Sequence, residues 1–157
     1  LIYQLTWTQK TCFVYDADTF KLLGTRRYNR EGWGLTTNGK ELIMSDGSST
    51  LYIMDPETLL DKRSVKVTLN GKEVNYLNEL EYIEGEVWAN LYMSDEIVRI
   101  DPATGKVTGV IDLKGILPMS LRKPTTDVLN GIAYDPQTKS IWITGKYWPR
   151  VYKISLH

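Results

Sequence analysis

Residues 77–113 read LNELEYIEGEVWANLYMSDEIVRIDPATGKVTGVIDL. Four short runs in this stretch mix apolar and polar residues at a period near two: Leu77–Ile83, Glu86–Tyr92, Glu96–Asp101 and Val107–Leu113. Short polar turns separate them, and no run keeps the 3.6-residue period of a helix, so the segment predicts four strands joined by hairpins. The turn DPATGK, residues 101–106, has the chemistry for such a reversal. Pro102 pre-sets its φ, and Gly105 takes the left-handed position.

The same order of runs recurs outward in both directions. With strands named A to D, residues 1–30 hold B to D (Leu1–Trp7, Thr11–Asp16, Leu22–Tyr28). Residues 31–69 hold all four (Gly32–Thr37, Glu41–Asp46, Thr50–Asp55, Arg63–Thr68), residues 76–113 hold the four above, and residues 128–157 hold A to C (Leu129–Tyr134, Ser140–Lys146, Arg150–Ser155). Asn70–Tyr76 and Lys114–Val128 are longer loops. Pro118 keeps the best helix candidate, Ile116–Arg122, short. A repeated four-stranded antiparallel unit predicts an all-β fold, a β-propeller whose A strands line a central channel.

The repeat also nominates a site. Aligned on Asp16, Asp55, Asp101 and Ser155, the position nine residues earlier is Trp7, Asp46, Tyr92 and Lys146. A purely structural slot should keep one residue type. An indole, a carboxylate, a phenol and an ammonium in equivalent places read as the wall of a site. The A strands GWGLT, LNELEY and LNGIAY align Trp33, Asn78 and Asn130 in one slot and Gly34, Glu79 and Gly131 in the next. Asn78 and Asn130 can then face the channel, with Glu79 beside them. Leu35, Leu80 and Ile132 pack between sheets.

Composition narrows the chemistry. The chain of 157 residues carries 19 Lys plus Arg and 19 Asp plus Glu, so no overall field favours nucleic acid. No apolar run is long enough to span a bilayer. Cys12 is the single cysteine, in a β run, and reads as a buried hydrophobe. His157, the last residue, is the single histidine. Ser-His-Asp and Cys-His catalysis therefore lack a base, a His-rich zinc site lacks its ligands, and neither a metal nor a cofactor is expected. Trp88 and Trp142 read as inter-blade core. Asp16, Asp55 and Asp101 read as turn formers, and Arg26, Arg27 and Arg30 as a solvated strand edge.

EGWGLT (31–36), LYIMDPET (51–58), LNELEYIEGEVWANLY (77–92), LNGIAYD (129–135) and TGKYWPRVYKI (144–154) resemble the metal-independent glutaminyl-peptide cyclotransferases of plants and bacteria. The resemblance covers essentially the whole chain and implies a five-bladed propeller, of which this chain would hold roughly the last three to three and a half blades. It implies an enzyme that converts the N-terminal glutamine of a peptide or protein to pyroglutamate and releases ammonia. It also implies a secreted or periplasmic protein, monomeric when complete. Position by position, the family's site residues fall on Trp7, Trp33, Asn78 and Lys146. Tyr92 stands where the family has a further tryptophan. An FTQGL-like and a GEGLT-like segment are not found, and the second supplies the family's glutamate for the substrate amine. On this reading the chain by itself is not expected to be a competent enzyme.

The chemistry implied by that resemblance suits these side chains. Lys146 and Asn78 are the catalytic candidates, meeting negative charge on an amide oxygen. Trp7, Trp33, Tyr92, Asp46, Glu79 and Asn130 are the substrate-binding candidates, the aromatic three forming a box that excludes water. Gly145, before Lys146, would let substrate approach closely. Two other readings compete: a non-catalytic propeller holding a peptide or small ligand in its channel, and a metal-dependent propeller lactonase. The second needs an acidic channel centre, against which Trp and Lys argue.

Overall fold

A computed structural model describes residues 1–157. The chain is all-β, with one short 3₁₀ turn, Met119–Leu121, inside the stretch where the sequence allowed a short helix. The first sheet holds β1 (Ile2–Leu5), β2 (Thr11–Tyr15) and β3 (Leu22–Arg27). The second holds β4 (Gly34–Thr37), β5 (Leu42–Ser45), β6 (Thr50–Met54) and β7 (Asp61–Lys66). A small hairpin follows, β8 (Thr68–Leu69) with β9 (Lys72–Glu73); β9 lies within Asn70–Tyr76, read from sequence as a loop, while the sequence reading puts Thr68 at the end of a D strand. The third sheet holds β10 (Leu77–Ile83), β11 (Glu86–Leu91), β12 (Glu96–Ile100) and β13 (Val107–Asp112). The fourth holds β14 (Leu129–Asp135), β15 (Ser140–Gly145) and β16 (Tyr152–Ile154). Within every sheet, neighbours in sequence are neighbours in space and run antiparallel. These are propeller blades, packed side by side.

Period-two alternation explains how the blades stack, because each strand sends alternate side chains to opposite faces. In β5, Leu42 and Met44 enter a core with Cys12, Val14 and Tyr28 of the first blade. Ile43, between them, enters a second core with Leu77, Leu80 and Val87 of the third blade. In β11, Val87 and Ala89 face that second core, and Trp88 turns to a third core with Leu129, Ile132 and Ile143. All four residues of β5 are buried because the strand is covered on both faces.

Each C-to-D hairpin turns in the same way. Asp16, Asp55 and Asp101 each accept the backbone N–H two residues on, at 3.1, 2.9 and 2.9 Å. The fifth residue of each turn has positive φ, taken by Phe20, Leu59 and Gly105. An Asx turn of this kind stabilises the corner even where a side chain must adopt the left-handed region.

Near the axis, side chains of one A strand accept backbone N–H groups of the next. Thr36 Oγ1 accepts from Tyr82 at 2.9 Å, and Glu81 accepts from Tyr134 at 3.0 Å. These two pairs are equivalent in the repeat. They join neighbouring blades that no ladder connects.

Two expectations are corrected here. Trp142 is not inter-blade core: it is 39% exposed, with the Lys153 ammonium 5.8 Å from its ring. Arg30 is not a solvated edge residue. Its side chain is buried between the first two blades, paired with Asp61, and its guanidinium lies 3.7 Å from the centroid of the Tyr52 ring.

Candidate functional site

A cavity of about 370 Å³ opens where the inner ends of the four blades meet. Its walls are Trp7, Gly32, Trp33, Asn78, Tyr92, Asn130 and Lys146. Ligand pockets span about 300–1,000 Å³, so this one suits a small side chain rather than a large cofactor. Residues 77 to 146 of the chain supply four of the seven walls, and all four follow the repeat. Tyr92 and Lys146 come just after β11 and β15, at equivalent positions. Asn78 and Asn130 are the second residues of β10 and β14.

Aromatic walls are held in place from behind. The Trp33 ring meets the Tyr92 ring edge to face, with centroids 5.3 Å apart. Its indole N–H donates to the Glu31 carboxylate at 3.1 Å. Its other face lies against Gly47, where a Cβ would come within 2.6 Å of the ring, so only glycine fits. Tyr92 is fixed by its backbone N–H, which donates to the Tyr76 carbonyl at 2.8 Å. Trp7 is 66% exposed at the mouth.

The polar walls differ in how their groups are occupied. Asn78 is 5% exposed, and its backbone carbonyl accepts the Ser45 hydroxyl at 2.6 Å. Its side-chain amide has no partner within the protein and faces the cavity. Open to the cavity, that amide is free to meet a polar ligand. Asn130 is partly occupied, since its Oδ1 accepts the Glu79 N–H at 3.3 Å. Lys146 is in none of the five ion pairs. Its ammonium instead sits 5.4 Å from the Tyr92 ring centroid. Its backbone is pinned on both sides, N–H to Val128 O at 2.9 Å and C=O from Asp127 N–H at 3.0 Å.

Two nominated residues stand outside the cavity. Asp46 shares the slot of Trp7, Tyr92 and Lys146, yet its carboxylate is occupied by its own turn. It accepts from the Ser48 N–H and hydroxyl and from the Tyr52 hydroxyl, the last at 3.0 Å. Glu79 turns away from the cavity and accepts the Ile132 N–H at 2.7 Å. Burial pushes its carboxyl up to about 8, and the neighbouring Glu81 adds to the rise. Burial also raises Glu81. Glu79 thus bridges β10 and β14 behind Asn78 and Asn130.

Sequence reasoning missed one wall, Gly32, which offers backbone only. A Cβ there would press on the Thr6 carbonyl and the Tyr28 hydroxyl, both within 2.6 Å. The glycine of EGWGLT was the available signal. Gly145 is also corrected. The Trp148 indole already fills the space a Cβ would take, so the glycine admits a tryptophan, not substrate.

An aromatic box with one unpaired lysine and one unpartnered asparagine, at the hub of a blade array, defines a propeller with a small polar-ligand site. The chain belongs to the glutamine cyclotransferase family, whose model matches residues 1–156. It is 46% identical to a glutaminyl-peptide cyclotransferase of Arabidopsis thaliana over 160 residues, covering 99% of this chain and 49% of that protein. The chain therefore spans about half the length of the curated relative it matches. The crystal structure of Myxococcus xanthus glutaminyl cyclase superposes with a TM-score of 0.89 at 39% identity, covering 96% of this chain and 66% of that one. The WD40 β-propeller domain of Doa1, at 11% identity and a TM-score of 0.56, matches 89% of this chain and 42% of its own, and speaks for the fold alone.

Proposed function

We propose that the protein is a glutaminyl-peptide cyclotransferase, acting on the N-terminal glutamine of peptides or proteins. The observation that carries this reading is the pairing of Lys146 and Asn78 on one cavity, each with its polar group unengaged by the protein. Membership of the family and the likeness to the Arabidopsis and Myxococcus proteins support it.

The reaction forms a bond between the α-amine nitrogen and the side-chain carbonyl carbon of the same glutamine. It breaks the bond from that carbon to the amide nitrogen, which leaves as ammonia. Nucleophile and electrophile are already tethered, so holding them together contributes much of the acceleration. The box of Trp7, Trp33 and Tyr92 folds the glutamine side chain back on its amine and keeps water out. Attack places negative charge on the amide oxygen, and the Lys146 ammonium with the Asn78 N–H₂ meets it. The amine proton passes to a base and returns on the departing ammonia. The family's glutamate for that role matches no residue of this chain. Asn130 orients the substrate backbone, and Glu79 acts from behind, its backbone N–H holding the Asn130 Oδ1 and its carboxyl joining β10 to β14. Asp46 has no part in this mechanism.

The reading needs no metal, since tryptophan and an ammonium are poor company for a cation. A secreted or periplasmic location and a monomeric state belong to the same proposal, as does indifference to nucleic acid. No helix is long and apolar enough to cross a membrane. The test is ammonia release by the full-length protein from a glutamine-initiated dipeptide, with an asparagine-initiated dipeptide as control. Ammonia from the first alone is expected. Tight binding of the dipeptide with no ammonia would instead make the molecule a binding propeller.

A further inference from the structure

Next to the site lies a larger depression of about 750 Å³, between the third and fourth blades. Its base includes Leu117, 1% exposed. Its lips carry Met93 and Met119, exposed by 75% and 81%. Its ionisable residues are two acids and two bases, so it favours neither sign of charge.

Two walls of the site continue into it. Met93 follows Tyr92 directly in the chain. Val128, on the wall of the depression, accepts the Lys146 backbone N–H at 2.9 Å. The position after the site slot is left-handed in three repeats, with φ of 86° at Gly47, 66° at Met93 and 58° at Tyr147. That backbone region disfavours side chains. At Met93 it nonetheless holds a long apolar side chain in solvent, where it contributes little to folding. A thioether on three rotatable bonds adapts to partners of varied shape.

We infer that this depression is a subsite for the peptide chain beyond its N-terminal glutamine, taking apolar side chains at the second and third residues. The inference rests on the glutaminyl-peptide reading above. With glutamine in the first cavity, an extended chain carries the next two residues roughly 7–10 Å onward. An occupant that varies from one peptide to another matches methionine lips and balanced charge.

The test compares glutaminyl-glycine with glutaminyl-leucyl-leucine as substrates of the full-length protein and of its Met93→Asp, Met119→Asp double variant. The unaltered protein should favour the tripeptide about tenfold in kcat/KM, a ratio that two or three newly covered methylenes supply. The double variant should lose that preference through KM, with kcat and both dipeptide constants unchanged. Both methionines are exposed, so dipeptide turnover reports that fold and site survive. If the double variant loses dipeptide turnover, Met119→Asp alone carries the comparison. Dipeptide turnover with an unaltered tripeptide KM in the variant overturns the subsite and leaves the cyclotransferase reading standing. Turnover of neither peptide by the unaltered protein overturns both.

Discussion

The Lys146 ammonium lies 5.4 Å from the centroid of the Tyr92 ring, and both residues occupy the same position of the repeat in adjacent blades. The ring face attracts the cation, and no carboxylate competes for it. The charge is therefore held over the cavity, where on the proposed reading it meets a developing oxyanion. In the intact enzyme, Lys146→Ala should cut kcat by about 10²-fold or more, a loss of roughly 3 kcal/mol of transition-state stabilisation. Folding should barely change, because Lys146 is exposed. Lys146→Arg should rescue poorly, since a planar fork does not replace a compact point charge. Steady-state ammonia release checks this, and near-full kcat in Lys146→Ala would make the lysine a bystander.

Glu79 should give the protein a pH-dependent stability of a particular sign. Its folded pKa, raised to about 8, lies above the ordinary carboxyl value of 4.5. The folded state therefore favours the protonated form. That contribution is fully present below about pH 4.5 and is lost as pH rises towards 8. Glu79→Gln keeps an acceptor for the Ile132 N–H and cannot ionise. The variant should gain Tm on the parent between pH 5 and 8, a window set by those two values. Parallel Tm curves across that range would show that the buried carboxyl does not set the slope.

Arg30 ties the first blade to the second. Beyond Asp61 and the Tyr52 ring, its guanidinium approaches the Met54 sulfur at 3.6 Å. Arg30→Ala should cost about 2–3 kcal/mol, from a lost cation–π contact, a lost ion pair and a void between blades. Arg30→Lys should recover only part of it, because an ammonium cannot stack. Urea unfolding measures the difference, and an unchanged midpoint in Arg30→Ala would sink the idea.

What the sequence made legible was what repeats. Alternation placed the strands within a residue or two, and the repeat brought Trp7, Tyr92 and Lys146 to one cavity. Asp46 shares their slot but not their place. The same residue starts a D-G turn, and Ser48 and Tyr52 hold its carboxylate. Register alone does not say which way a side chain is drawn. Arg30 was misread because a charge beside a strand edge looks solvated until the partners Asp61 and Tyr52, 31 and 22 residues away, are known. The hairpin of β8 and β9 has two-residue strands, too short to show any period. Gly32 and Gly145 carry no side chain to argue from, and their meaning lies in the Tyr28 hydroxyl and Trp148 indole packed against them.

Gly34 tests whether the fold and the site are one construction. It begins β4, and a Cβ there would overlap the Asn78 carbonyl oxygen and come within 2.9 Å of the Ser45 hydroxyl. Ser45 in turn donates to that same carbonyl at 2.6 Å. In most strands, replacing glycine by alanine is neutral or gains up to about 1 kcal/mol through lost backbone freedom. Here the methyl has backbone and a buried hydroxyl against it, and neither can swing aside. Gly34→Ala should therefore cost about 2–4 kcal/mol, in the range of overpacked cores with a broken buried hydrogen bond. It should also lower kcat, because β10 must shift and carry the Asn78 amide with it. Gly109→Ala, on outer strand β13, is the matched control. There a Cβ finds only the Arg99 side chain at 3.4 Å or more, so stability and turnover should hold. Chemical unfolding and ammonia release on the two variants decide the matter. Gly34→Ala as stable and as active as the parent would mean that the blades slide past one another more freely than their shared hydrogen bonds imply.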